Sequence, residues 1–118
     1  MIENAIRFFH ANEDNDQALF QVFRLLATEI VFLPVNQAGN LLSLQMGNNE
    51  VIPIFTSESS APQNEPIGLR QSYLKDYVNT LISAKKHLIV NPFSEEAIRF
   101  LIPYEALHMF LLPIIEES

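Results

Sequence analysis

The stretch EIVFLPVNQAGNLLSLQMGNNEVIPIF, residues 29–55, decides the fold of this chain. Residues 30–35 are mostly β-branched and aromatic, which predicts a buried strand. Residues 41–45 and 51–55 predict two more strands, joined by a Gly-Asn-Asn turn whose residues tolerate positive φ. We therefore expect residues 41–55 to form a hairpin. Pro53 cannot donate to a strand ladder, so an edge position or a bulge is expected there.

Helical periodicity lies on both sides of this stretch. Residues 2–10 and residues 15–28 place apolar side chains at the spacing of an amphipathic helix. Asp14 followed by Gln17 resembles a capping box at the start of the second of these helices. A further amphipathic helix is expected over residues 71–83, with these residues on one face: Leu74, Tyr77, Val78, Leu81 and Ile82.

The last third of the chain leaves one choice open. Residues 88–90 predict a short buried strand that Asn91-Pro92 stops. Beyond it, either Ser94 caps a helix that runs to Leu101, or the paired glutamates lie in a turn and residues 98–102 form another strand. Pro103 suits the first position of a final helix that ends near residue 111.

The order of these elements predicts an α+β fold, with a mixed sheet of four to five strands and helices packed against it. The 118 residues are close to the commonest size of one domain, so we expect a single domain. Between the hairpin and the third helix, residues 57–68 are expected to form one short helical turn followed by an irregular loop.

The amino-acid composition argues against several classes of partner and of chemistry. The net charge is −7 with only seven Lys and Arg, so nucleic acid and anionic membranes are not expected as partners. The absence of Cys excludes disulfides, thiolate metal sites and thiol catalysis. The sequence has no apolar run of about 18 residues, the length a spanning helix needs. A cytoplasmic protein without a cofactor is therefore expected.

The succession of motifs resembles the N-terminal domain of the enhanced serine sensitivity protein (SseB) family. The matching motifs are TEIVFLPVN, IPIFTSES, HLIVNPFS and IPYEALHMFL, in this order. With the helix that leads into the first of them, the resemblance covers about residues 18–112. The resemblance implies a bacterial-type α+β domain and favours a strand over residues 98–102. It implies little about activity, because no catalytic residues are established for the family. Larger members carry a second domain, so the chain looks like a stand-alone or truncated first domain.

The hydroxyls of Thr56 and Ser57 are the first candidate site, because they follow a strongly apolar strand. A nucleophile elbow needs glycines around the serine, and none stands next to Ser57. Capping of the following turn is therefore the preferred interpretation. Asn91 ends another buried strand and is expected to bond the local backbone. If the two strands are parallel neighbours, Asn91 and Thr56-Ser57 lie at the same end of the sheet and could line a ligand site.

Two other groups of residues are candidates for a functional role. The acidic cluster at His10, Glu13, Asp14 and Asp16 has suitable ligand types for a metal but matches no calcium loop, so no metal site is expected. The segment from Phe100 to Ile115 is very apolar for the end of a small domain. If its helix cannot bury every apolar side chain, the remainder forms an interaction surface that includes Tyr104, Leu107, Phe110 and Leu111. The alternative is a helix buried in the domain's own core, which is the usual meaning of a helix that is apolar all round.

These observations lead to two hypotheses about function. The favoured one is a non-enzymatic protein-interaction or regulatory domain, which binds a protein partner or associates with itself. It depends on the absence of a catalytic constellation and on the apolar C-terminal segment. The alternative is a small-ligand-binding protein or enzyme with its site near the strand ends at residues 55–57 and Asn91. A hydroxyl of Thr56 or Ser57 within about 3 Å of a histidine nitrogen would favour the alternative.

Overall fold

Helices and strands in the computed structural model are arranged as an α+β fold, which confirms the predicted class. The structure describes residues 2–62 and 68–117. Two helices come first, α1 (Ile2–Ala11) and α2 (Asp16–Thr28), and α3 (Val78–Ser83) follows later. The strands are, in chain order, β1 (Ile30–Val35), β2 (Leu44–Met46), β3 (Asn49–Ile54), β4 (Gly68–Tyr73), β5 (His87–Val90) and β6 (Phe100–Ile102).

The larger sheet has four strands in the order β2-β3-β5-β6. The antiparallel pair β2-β3 is the predicted hairpin, although its first strand is shorter than expected. β3 and β5 are parallel neighbours, with Ile54 opposite Val90. Antiparallel β6 then forms the far edge. The strand predicted over residues 98–102 is present as the shorter β6, because residue 98 belongs to a 3₁₀ turn, Glu96–Ile98, that precedes it.

Pro53 lies in β3, which is an internal strand, so the expected edge position is wrong for the strand as a whole. The local ladder explains why proline is tolerated. The carbonyl of Ile54 accepts from the backbone N–H of Asn91 at 2.9 Å, so Ile54 faces β5 and its neighbour Pro53 faces the other way. On that side the pairing with β2 has already ended at Val51. The missing N–H of Pro53 thus leaves no ladder bond unmade.

A second sheet contains β1 and β4, which pair antiparallel over their full length. The prediction of a helix over residues 71–83 is wrong in its first half, because residues 71–73 belong to β4. A 3₁₀ turn, Leu74–Asp76, and the short helix α3 follow. The expected apolar face is still buried at Leu74, Val78 and Leu81. The burial was predicted correctly, but backbone pairing with β1 determines the conformation.

Helix α2 begins one residue later than the predicted capping box requires. Its cap is Asn15, whose Oδ1 accepts from the backbone N–H groups of Gln17 at 2.9 Å and Ala18 at 3.3 Å. The predicted cap at Asp14 is therefore wrong, although the helix itself is confirmed. Either side chain can accept such bonds, and the chain reversal after α1 places Asn15 in the extended conformation that a cap needs.

The C-terminal helix, residues 104–117, is longer than predicted and contains a π turn. It consists of α4 (Tyr104–Ala106), the π-helical segment Leu107–Leu111 and α5 (Leu112–Glu117). The N–H of Leu112 reaches the carbonyl of Leu107, five residues back. Pro113 lies one residue later and cannot donate to the preceding turn, so the wider turn accommodates a proline that would otherwise interrupt the helix.

One hydrophobic core joins the helices to the larger sheet. It includes Ile6, Val22, Leu26, Ile54, Leu88 and Leu107, all of which are fully buried. Phe23 and Phe100 also belong to it, and their rings are in contact where β6 meets α2. Within residues 2–62 and 68–117, every helix is too short or too polar to cross a membrane.

Candidate functional site

The carboxyl ends of β3 and β5 bring the three predicted ligand-binding residues together. Because these strands are parallel neighbours, Thr56 and Asn91 lie at the same end of the sheet. The backbone N–H of Thr56 donates to Asn91 Oδ1 at 3.0 Å. Glu3, from the first turn of α1, closes the group by accepting from Thr56 Oγ1 at 2.7 Å. We call Glu3, Thr56, Ser57 and Asn91 the polar cluster.

Asn91 is fully buried and has a φ of 53°. Its Nδ2 donates to Thr56 Oγ1 at 3.0 Å and to the carbonyl of Ile98 at 3.2 Å. Asn is one of the few residues that adopt this left-handed backbone at low cost. The side chain thus links the ends of β3 and β5 to the turn before β6. Its donors and its acceptor are all engaged, as expected of a structural buried amide.

Ser57 occupies the position before the 3₁₀ turn Glu58–Ser60. Its backbone N–H donates to Ser60 Oγ at 3.3 Å, and Ser60 Oγ donates to the carbonyl of Ser57 at 2.8 Å. Its own Oγ lies 3.1 Å from Ser59 Oγ and 3.5 Å from Glu3 Oε1. Among the hydrogen bonds of the described residues, none joins Thr56 or Ser57 to a histidine. The arrangement offers these hydroxyls a carboxylate but no imidazole base.

A second concave region lies between α1, α2, β6 and the C-terminal helix. It is an open groove of about 350 Å³, which we call the phenylalanine groove. Most of its wall is apolar and includes Phe9, Leu19, Phe23, Phe100, Leu101 and Phe110. Pockets of this size with mainly apolar walls are the usual form of ligand and anchor sites.

Contacts between aromatic rings hold the wall of this groove in place. Phe110 lies 6.1 Å from Phe20 and 5.7 Å from Phe23, measured between ring centroids. Phe100 makes edge contacts with Phe9 at 5.5 Å and with Phe23 at 5.9 Å. Such offset or edge arrangements are favourable for aromatic pairs. The wall is therefore formed before any ligand or partner arrives.

The polar end of the phenylalanine groove contains Arg99 and His10. A ring nitrogen of His10, Nε2, lies 2.6 Å from the carbonyl oxygen of Arg99 and so donates to it. The Nε atom of Arg99 is covered and has no hydrogen-bond partner among the described residues. An Nη atom of the same side chain is 3.6 Å from Glu96 Oε1, and Glu96 is almost fully exposed. The guanidinium is thus held by one weak surface pair.

The residues of the expected interaction surface divide into two groups. Leu107 and Leu111 are fully buried, so this part of the expectation is corrected: their side chains form core, because the helix turns that face inward. Phe110 is half-buried and lines the phenylalanine groove. Tyr104 is half-buried and stacks on His87 at 5.5 Å, and His87 Nδ1 accepts from the backbone N–H of Tyr104. The most exposed apolar side chain of this helix is Met109, at 65%.

The acidic residues near the end of α1 form no metal centre among the described residues, since no group of three or more potential ligands converges there. His10 Nδ1 lies 3.9 Å from Glu13 Oε1. The groove walls contributed by Phe9, Leu19 and Phe100 were not identified from the sequence. The signal for them was the unusual use of nine Phe without any Trp, which indicated aromatic packing but not its position.

Comparison with known proteins gives one positive result. Searches of the curated proteins and of the solved structures found no match to this chain. The family model described as the SseB protein N-terminal domain matches residues 2–106, from α1 to the first turn of the C-terminal helix. This range includes the polar cluster and most of the wall of the phenylalanine groove. The chain therefore belongs to the SseB N-terminal domain family.

Proposed function

We propose that this chain is a non-enzymatic protein-interaction or regulatory domain, with the phenylalanine groove as its contact surface. The observation that carries the proposal is the open, preformed aromatic wall between α2, β6 and the C-terminal helix. Leu101 adds to this surface, because 51% of it is exposed at the edge strand β6. Apolar surface left in contact with water at a concave site is typical of partner recognition.

The energetics favour a single anchor residue from the partner. A large apolar side chain that becomes buried in such a groove contributes roughly 1.5–3 kcal/mol. A few buried anchors of this kind usually supply most of the affinity at an interface. Because the aromatic wall is already packed in the free chain, binding costs little reorganisation of side chains.

The alternative, a small-ligand site or enzyme at the polar cluster, has one observation in its favour. Thr56, Ser57 and Asn91 meet at the carboxyl ends of two parallel strands, where open sheets often bind ligands. However, the polar atoms of Asn91 and the Thr56 hydroxyl are already bonded to each other, to Ile98 and to Glu3. A ligand would have to replace these bonds, which makes this alternative weaker than the groove.

A capture experiment with matched variants tests the proposal. The full chain, immobilised on beads, is exposed to lysate of the native host, and Leu101→Asp is compared with Met46→Asp. Both residues are apolar and partly exposed, at 51% and 42%, but Met46 lies in β2, at the opposite edge of the sheet from β6. We expect bound proteins to be retained by Met46→Asp and lost with Leu101→Asp. Circular dichroism checks that both variants are folded.

The proposal fails if nothing is captured, or if Leu101→Asp captures the same proteins as the unchanged chain. Self-association is tested in the same way by sedimentation velocity, because the partner can be a second copy of the chain. A concentration-dependent dimer that Leu101→Asp abolishes supports the groove as its interface.

For the alternative, Thr56→Val removes the hydroxyl at nearly constant volume, and loss of binding to a small ligand in that variant would favour the polar cluster.

A further inference from the structure

We propose that the phenylalanine groove binds the C-terminal carboxylate of a partner protein whose last residue is large and apolar. In this arrangement the apolar side chain fills the groove and the carboxylate pairs with the guanidinium of Arg99. The inference rests on the proposed function and makes it specific, because it names the chemistry of the partner.

The state of Arg99 is the first reason. Its Nε–H is covered and has no acceptor among the described residues, which is an unusual condition for a polar atom in a folded protein. Its present ion pair, with Glu96 at 3.6 Å, lies at the surface and contributes little to the stability of the fold. In the proposed complex this long side chain rotates so that its guanidinium faces the groove, which Arg99 lines. There, Nε and an Nη atom form the planar fork that binds a carboxylate through two parallel hydrogen bonds.

The shape of the groove is the second reason. Its volume of about 350 Å³ gives room for one large side chain and the last backbone unit, but not for a long segment. The apolar wall at Phe100 and Phe110 and the guanidinium of Arg99 border the same groove. A C-terminal residue carries its side chain and its carboxylate on one Cα atom. Such a residue therefore presents both groups within the distance that a single small groove spans.

The charges around the polar end restrict the partner further. Glu13 and Glu96 lie beside His10 in the adjoining depression, and the whole chain has a net charge of −7. A strongly acidic partner would be repelled before it reached the groove. A single carboxylate preceded by basic residues satisfies both conditions, since the carboxylate meets Arg99 and the basic residues face the glutamates. The partner is therefore a chain with basic residues shortly before an apolar C-terminus.

Two hexapeptides that differ in one group test this inference. Their sequence is lysine-serine-lysine-alanine-leucine-phenylalanine, ending in a free carboxylate or in an amide. Each is titrated into the ¹⁵N-labelled full chain, and backbone shifts are followed by NMR. For a contact of about one residue we expect a Kd on the order of 1 mM for the free acid. Loss of the charge-assisted bonds makes the amide about tenfold weaker.

Two substitutions test whether the guanidinium of Arg99 causes the difference in affinity between the free acid and the amide. Arg99→Gln is expected to weaken the free acid about tenfold and to leave the amide unchanged. The matched control is Arg70→Gln, because Arg70 is an exposed arginine of the other sheet that bonds Tyr77 Oη. The shifts should cluster at Phe100, Leu101 and Phe110 in the unchanged chain and in this control.

Several results overturn the inference. Equal affinity of the acid and the amide, or an unchanged affinity of Arg99→Gln for the acid, excludes recognition of the terminal carboxylate. Shifts away from the groove, or none up to about five times the expected Kd, also exclude it. The capture experiment separates this failure from that of the proposed function. If captured proteins are lost with Leu101→Asp but retained by Arg99→Gln, the groove is an interaction surface that does not bind the partner's terminal carboxylate.

Discussion

Asn91 gives the sharpest test of how this fold is held together. Its backbone has a φ of 53° and its buried side chain joins two strand ends to the turn before β6. Two replacements separate these contributions. Asn91→Gly keeps the backbone conformation accessible and removes the side-chain bonds. Asn91→Ala removes the same bonds and also places a Cβ atom in the left-handed region.

The size of each effect follows from the bonds that are lost. In Asn91→Gly the N–H of Thr56 and the carbonyl of Ile98 lose their side-chain partner. Each polar group left unsatisfied in a buried position costs about 1–3 kcal/mol. We therefore expect the free energy of unfolding to fall by about 3 kcal/mol. Alanine at positive φ adds a net cost of about 1 kcal/mol, so Asn91→Ala should lose about 4 kcal/mol.

Urea denaturation followed by circular dichroism measures both values, since the chain has no Trp to report on unfolding. Asn79→Ala is the control, because Asn79 is exposed on α3, and we expect a change within about 0.5 kcal/mol. A loss below about 1 kcal/mol for Asn91→Gly would refute the structural role of the amide. Equal losses for the glycine and alanine variants would refute the argument from backbone conformation.

Two further predictions concern the last helix and the hairpin. Leu111→Ala should lower the free energy of unfolding by about 2–5 kcal/mol and Met109→Ala by no more than about 0.5 kcal/mol, because Leu111 is buried and Met109 is exposed. Equal losses in urea denaturation would contradict this assignment of the helix faces. The hydrogen bond from Lys86 holds the pKa of the Glu50 carboxyl below its usual range, with a smaller effect of Ser43. The pair therefore stabilises the fold above the ordinary glutamate pKa of about 4.3, and this stabilisation is lost as the pH falls through the lower folded-state pKa. Lys86→Gln should make stability less dependent on pH in this acid range, and an unchanged pH profile would contradict the pairing.

The parts of the fold predicted correctly depend on local patterns. Helix α2 and the hairpin of β2 and β3 follow from apolar periodicity and turn residues within short windows. For residues 71–73 the same reasoning predicted a helix wrongly, because these residues fit the helical periodicity that continues through residues 74–83. Pairing with β1, some forty residues earlier in the chain, decides their conformation. The apolar periodicity of a segment does not show which distant strand will pair with it.

The candidate sites show a related limit. From the sequence, Asn91 and Thr56 were expected to lie close together only if their strands are parallel neighbours. The parallel pairing of β3 and β5 meets this condition. The prediction left Glu3 out, because its place beside Thr56 depends on how α1 packs against the sheet. The apolar C-terminal segment indicated a surface, but a run of apolar residues does not by itself show which face of the helix packs inward. Leu107 and Leu111 lie four residues apart, on the face that is buried in the core.

The two candidate sites differ in what a partner would gain from them. At the polar cluster, binding replaces existing hydrogen bonds with others, so the net gain in free energy is small. At the phenylalanine groove, a partner covers aromatic surface that water now contacts and offers an acceptor to an arginine held by one exposed glutamate. Both changes lower the free energy of the complex without first breaking a buried bond. This asymmetry is the physical reason why the proposed recognition is assigned to the groove, whereas the bonds of the polar cluster join the strand ends to each other.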